Sequence, residues 1–237
     1  MESKIFQYTL SELLSNRSRA ICLNDMIINE KEIVEIYYTY SHSKSLILIE
    51  IIKQALEVVD IVVFIDMSFS IDYAEIPCPS RVLIYQVFSQ VEFLMYIRSL
   101  ESFFRSSKIS AYIFIDSWTS YLPSGGGRER HLDAVIEGKV VEVLKNLVDK
   151  FQVNIVVCRK ATFEPNTEIQ FEFGSYYLVS CEKKPHVAMT LMVLEPIRLK
   201  DDNRLLHAVC QYEPKIIYTF TYPFDWSEKI QIKYASQ

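Results

Sequence analysis

A chain of 237 residues is long enough for one well-packed domain, or at most two small ones. Half the residues are apolar, glycine is scarce at 5, and 15 tyrosines and 14 phenylalanines supply a large aromatic core, which excludes a disordered chain. The formal net charge of -5 excludes a broadly basic nucleic-acid-coating protein, although it leaves room for a local basic patch.

The opening MESKIFQYTLSELL lacks the apolar run and small-residue cleavage site of a signal peptide. The longest apolar runs, such as VVDIVVFID, are too short to span a bilayer. The expectation is a soluble intracellular protein with no membrane association. Cys22, Cys78, Cys158, Cys181 and Cys210 are scattered and form no C-x-x-C pair, so they are read as small core residues in a reducing compartment. Leu10, Leu13 and Leu14 share one helical face and predict a short helix there.

Residues 31–38 read as the first core strand, and residues 43–57 as a helix apolar on most sides, the pattern of a helix buried against a sheet. Residues 60–66, DIVVFID, form a strand apolar almost throughout, as a parallel strand covered on both faces must be. Ile-Pro-Cys-Pro at 76–79 breaks regular structure. A strand at 81–85 is followed by an amphipathic helix at 89–104, with Val91, Leu94, Met95, Leu100, Phe103 and Phe104 expected in the core. The buried strand 111–116 ends on Asp116, and the Gly-rich SGGG at 124–127 follows in the next loop. A helix at 132–151, with Val135, Ile136, Val140, Val143, Leu144 and Leu147 spaced for burial, leads to a strand at 153–158. This alternation predicts an α/β fold: a mostly parallel central sheet flanked by helices. After Pro165, strands are expected at 171–180, 188–194, 205–209, 215–222 and 230–234, extending the sheet antiparallel. No domain linker stands out, and residues 1–237 are read as one domain.

The most informative segment is EIYYTYSHSKSLILIEIIKQAL, a strand, a short loop, Lys-Ser and a long apolar helix. That is the layout of a phosphate-binding P-loop, G-x-x-x-x-G-K-[ST], whose glycines let backbone N–H groups curl around phosphate. Here Tyr38 and Ser43 stand at the glycine positions, while Lys44 and Ser45 remain. Lys44 is thus a candidate phosphate ligand and Ser45 a candidate magnesium ligand. The alternative makes Lys44 a solvent-facing residue on the first helical turn. Asp116 is the candidate second acidic position, or else a strand-end aspartate. Asp66 is either a group that orients water or an acceptor of backbone N–H bonds in its turn. Arg128, Arg130, Arg159 and Lys160 are candidate DNA contacts, joined by His131, Lys108, Lys139 and Lys145, or ordinary surface charges. The histidines show no metal-ligand spacing, and no G-x-S-x-G elbow is present, so neither a metalloenzyme nor a serine hydrolase has support.

The order of these elements resembles the RecA-type recombinase core. EIYYTYSHSKSLILIEIIKQAL sits at the first nucleotide motif, DIVVFIDMS at the strand after the first helix, SAYIFIDSWTSY at the second nucleotide motif, and VNIVVCRKATF at the next core strand. Within that superfamily the chain is similar to the short eukaryotic recombination-repair paralogues. The most specific stretch is RVLIYQVFSQVEFLMYIRSLESFFRSSKISAYIFIDSWTSYLPSGGGRER, where YIRSLESFF precedes the strand ending in Asp-Ser. The likeness covers roughly residues 33–165, read as a degenerate nucleotide-binding core.

The resemblance implies a RecA-like P-loop ATPase core without the recombinase's N-terminal helical domain. It implies a nuclear DNA-repair subunit, working in homologous recombination inside a heteromeric complex that assists recombinase filaments on single-stranded DNA. The implied partners are another RecA-like paralogue, the recombinase itself, and single-stranded or branched DNA within the complex. The phosphate lysine and magnesium serine map to Lys44 and Ser45, and the second-motif aspartate to Asp116, with ATP and magnesium as the implied cofactors. Ser68 stands where hydrolytic relatives carry a catalytic glutamate, which together with the missing glycines argues against hydrolysis. Two alternatives stay open: a residual DNA-dependent ATPase, and a RecA-like scaffold in a transfer-RNA-modification complex.

Overall fold

The buried strands and long helices expected from the sequence are present in the computed structural model. It describes residues 19–23, 26–39, 41–118, 128–151, 153–161, 168–171, 174–177, 186–193, 197–198, 205–212, 215–221 and 225–231. The short helix expected at 10–14 lies outside these residues.

A short hairpin, β1 (Ile21–Leu23) and β2 (Met26–Ile28), precedes the first sheet strand β3 (Ile33–Tyr38). The hairpin was not expected, because three-residue strands are too short to show a period-two pattern. Helix α1 (Ser41–Val58) follows β3, and β4 (Ile61–Asp66) follows α1. Then come β5 (Val82–Gln86), α2 (Gln90–Ser107), β6 (Ala111–Asp116), α3 (Arg128–Lys150) and β7 (Val153–Lys160). Ser89 caps α2, its hydroxyl accepting from the Glu92 N–H at 3.2 Å, and the Glu92 carboxylate accepts from the Phe88 N–H at 2.9 Å. This local pairing fixes where the helix starts.

Among the described residues the central sheet has ten strands. Strands β5, β4, β6, β7 and β3 lie side by side and parallel, in that order. The next neighbour of β3 is β10 (Met189–Val193), also parallel to it. Beyond it, β12 (Leu205–Tyr212), β13 (Lys215–Thr221) and β14 (Asp225–Gln231) continue antiparallel, with β11 (Ile197–Arg198) pairing on β12.

Two features after β7 depart from the sequence reading. The segment expected as one strand at 171–180 contributes instead to a separate hairpin, β8 (Glu168–Phe171) with β9 (Gly174–Tyr177). The following strand, β10, joins parallel to β3, where an antiparallel extension was expected.

The core has two layers. On one face, α1 packs Ile47, Leu48, Ile51, Ile52 and Ala55 against Val34, Ile36, Phe64, Phe114 and Val156. On the other, Phe93, Ile97, Leu100 and Phe104 of α2, with Val140, Leu144 and Leu147 of α3, cover Val63, Ile65, Ile113, Ile115 and Ile155. Period-two alternation along each strand supplies both faces at once, which is why these strands are apolar throughout. The expected core of α2 needs correction: Leu100 and Phe104 are buried, but Val91 and Met95 point outward and Phe103 is exposed. The inward face is Phe93, Ile97, Leu100 and Phe104, spaced four, three and four apart. No helix among the described residues is long and apolar enough to cross a membrane.

Candidate functional site

In a parallel α/β sheet the strand ends and the helix starts meet at one edge, so that edge collects the chain's chemistry. Lys44 lies in the first turn of α1 and Asp116 is the last residue of β6. They meet there: Lys44 Nζ lies 2.7 Å from Asp116 Oδ1 and 2.6 Å from Oδ2, and both side chains are fully buried. The same ammonium donates to Ser70 Oγ at 2.5 Å and to Ser68 Oγ at 3.3 Å, and it sits over the Tyr38 ring, 4.8 Å from its centroid. Ser68 Oγ donates in turn to Asp116 Oδ2 at 2.9 Å. Lys44 does not face solvent, as one of the two readings had it; its side chain turns inward as one half of an ion pair with the other candidate residue, Asp116.

The backbone explains the turn. β3 ends at Tyr38 and α1 begins at Ser41, which leaves only two residues between strand and helix. A phosphate cradle needs a longer glycine-bearing loop at this point. Tyr38 is buried, and its hydroxyl donates to Ser117 Oγ at 3.0 Å across the strand ends. Burial pushes that phenol up to about 12, with the nearby Asp116 charge adding to the shift and the Ser117 hydrogen bond opposing it. The Ser45 hydroxyl donates within α1 to the Ser41 carbonyl at 2.9 Å, and the Ser70 carbonyl lies 3.2 Å away. Of the residues that the resemblance assigns to phosphate and magnesium, Lys44 and Asp116 are paired with each other, and the Ser45 hydroxyl is engaged with the Ser41 and Ser70 carbonyls.

Burial raises the Asp116 carboxyl above the ordinary carboxylate range. The Lys44 charge and the hydrogen bonds from Lys44 and Ser68 pull against that shift, while Asp66 adds to it. Asp66 ends β4 beside Asp116 in register, yet its role is local. Its Oδ1 accepts from the Ser68 N–H at 3.0 Å and the Phe69 N–H at 2.7 Å, and Oδ2 accepts from the Tyr73 hydroxyl. These bonds hold the turn that delivers Ser68 and Ser70 to Lys44.

A second buried cation sits on the opposite face of the sheet. Arg159 of β7 shares its strand face with Ile155 and Val157. Its Nε donates to Glu35 Oε1 at 2.8 Å, and a terminal nitrogen donates to Glu137 Oε1 of α3 at 2.9 Å. The guanidinium stacks 4.7 Å from the Trp118 ring centroid, and the Tyr37 hydroxyl donates to Glu35 Oε2 at 3.2 Å. Arg159 is 6% exposed, so contact with a nucleic-acid phosphate requires breaking both of its carboxylate pairs. Its neighbour Lys160 points the other way and is exposed. Arg128 and Arg130 open α3, but their side chains lie outside the described residues. The structure thus joins Lys44 with Asp116 and encloses Ser45 beside them, whereas the four candidate DNA contacts do not assemble into one described surface.

Sequence reasoning missed Ser70, Glu35 and Trp118 as members of these clusters. A signal existed for Glu35, an acid inside the apolar strand Ile-Val-Glu-Ile, since a buried charge requires a partner. Among the described residues no group of His, Cys, Asp and Glu side chains is placed to hold a metal ion. Comparison with protein-family models and with curated protein sequences gives no match for this chain.

Proposed function

We propose that this chain is a non-hydrolysing, RecA-like subunit of a heteromeric recombination-repair complex. It pairs with another RecA-like paralogue and assists assembly or remodelling of recombinase filaments on single-stranded DNA in the nucleus. The observation that carries the reading is the buried Lys44–Asp116 pair. An ammonium held by the carboxylate and two serine hydroxyls neutralises the sheet edge from within, so the fold needs no bound ligand to compensate Asp116. A scaffold that works without nucleotide is consistent with such an edge. Support for the repair branch comes from the sequence likeness through YIRSLESFF and the strand ending in Asp116-Ser117.

The test has two arms. The purified chain, given ATP and magnesium, is expected to show no turnover above background; turnover abolished by Lys44→Ala would sink the non-hydrolysing reading. Co-expression with RecA-like repair paralogues is expected to give one stable heteromer. A monodisperse monomer that binds none of them in a direct assay defeats the subunit reading.

A further inference from the structure

The amino edge of the sheet, opposite the Lys44–Asp116 pair, carries a cleft of about 360 Å³ between the last turns of α2 and α3. Phe104, Ile109 and Phe151 form its apolar walls, and Arg105, Lys108 and Lys150 stand around them. No carboxylate lines the cleft among the described residues. Glu101, just outside, takes both Arg105 at 3.0 Å and Lys150 at 3.5 Å. Three cations against this one acid give a local charge of +2, on a chain whose formal net charge is -5. Charge complementarity at this spot therefore favours an anion, although the chain as a whole repels one.

Lys108 separates this cleft from ordinary compensation of the helix ends. Cations in a last helical turn complement the macrodipole, which accounts for Arg105 and Lys150. Lys108 is instead the C-cap of α2, in the left-handed region at φ 51° and ψ 30°, with its N–H donating to the Phe104 carbonyl at 3.4 Å. Glycine or asparagine fills such a position with least strain, because a β-carbon crowds the backbone there. A lysine in a strained backbone position points to a use for its side chain. Its ammonium is exposed and, among the described residues, has no carboxylate partner.

The shape selects the occupant. A cleft of this volume takes one large side chain and is too small for a helix. Phe104 is 2% exposed and Phe151 is half-buried, so neither offers a free ring face on which a nucleic-acid base stacks. We propose that the cleft binds an acidic segment of a second protein. One aromatic or large aliphatic side chain of that segment enters between Phe104, Ile109 and Phe151, and the carboxylates flanking it accept from Lys108 and from Arg105. The inference does not use the recombination reading, since the cleft lies at the opposite edge of the sheet from Lys44 and Asp116, and it stands or falls separately.

The experiment titrates the full chain into a fluorescein-labelled peptide, Asp-Glu-Phe-Asp-Glu, and follows anisotropy at low salt. The expected result is saturable binding that weakens as salt rises. Replacing the peptide's phenylalanine with alanine should weaken it by more than about tenfold. Lys108→Glu should weaken it by more than about tenfold as well. Lys53→Glu makes the same charge change at an exposed position of α1, across the sheet, and should leave binding within about twofold. Lys108→Gly removes the cation but suits the left-handed cap, so it should weaken binding without lowering the melting temperature. No binding, binding indifferent to the peptide's phenylalanine, equal losses from Lys108→Glu and Lys53→Glu, or full binding by Lys108→Gly would each overturn the proposal. So would a single-stranded oligonucleotide that displaces the peptide and loses its own binding in Lys108→Glu.

Discussion

Replacing Lys44 with methionine separates a structural lysine from a phosphate-binding one. Lys44→Met keeps most of the side-chain volume but leaves Asp116 buried with no cation. Both members of the pair are fully buried and their closest atoms lie 2.6 Å apart, so solvent does not screen the loss. Removing one partner of such a pair costs about 3–5 kcal/mol. At roughly 2–4 °C per kcal/mol for a chain of this size, the melting temperature should fall by about 6–20 °C. The deficit should depend on pH. Burial already raises the Asp116 carboxyl, and losing the opposing Lys44 charge raises it further. A carboxyl whose folded-state pKa lies above its unfolded value stabilises the fold below the unfolded value, and that contribution is lost as pH rises through the folded one. The variant should therefore lose stability as pH climbs above the ordinary carboxylate range and come closer to the parent chain in acid. Adding Asp116→Asn removes the stranded charge while keeping an acceptor for Ser68, and it should recover most of the loss at neutral pH. The assay is urea unfolding of the parent, the single variant and the double variant between pH 5 and 8. A Lys44→Met chain as stable as the parent, or a deficit unchanged across that range and untouched by Asp116→Asn, would refute the buried-pair account.

Three other substitutions and labelling experiments have outcomes set by the described contacts. Gly138 lies inside α3, and a β-carbon there would meet nothing within 4 Å, so Gly138→Ala should add about 0.5–1 kcal/mol in urea unfolding through helix propensity alone. Arg159→Leu strands the buried Glu35 and should cost about 3–5 kcal/mol, whereas Arg105→Ala, which breaks only the exposed pair with Glu101, should cost about 1 kcal/mol or less; equal effects would contradict the inward placement of Arg159. Cys158 is fully enclosed and burial pushes its thiol up, so iodoacetamide should label Cys22 and Cys78 in the native chain and reach Cys158 only on unfolding, as site-resolved mass spectrometry can record.

The alternation of apolar strands with long helices determined by itself that the central sheet is largely parallel, and with it that Lys44 and Asp116 share one edge. That convergence needs no side-chain detail, because parallel strands place all their carboxyl ends, and the starts of the helices that follow, on the same side. The residues at the glycine positions, Tyr38 and Ser43, were likewise legible from the sequence alone. The direction of the Lys44 side chain was not legible. It depends on Asp116, Ser68 and Ser70, which reach Lys44 only after the β4 turn and the end of β6 have assembled around it. Arg159 belongs to the same class: period two assigns it a strand face, but only the packing of α3, through Glu137, decides that the face is closed. Periodicity found the helix α2 and the core positions Leu94, Leu100 and Phe104, but added Val91, Met95 and Phe103, because a helix with apolar residues on two sides carries no local mark of which side meets the sheet. The joining direction of β10 was also a tertiary decision, since a strand's own pattern does not say whether its neighbour runs parallel or antiparallel. Local patterns fix what each segment can bury; which of two burial choices is realised depends on partners far away in sequence.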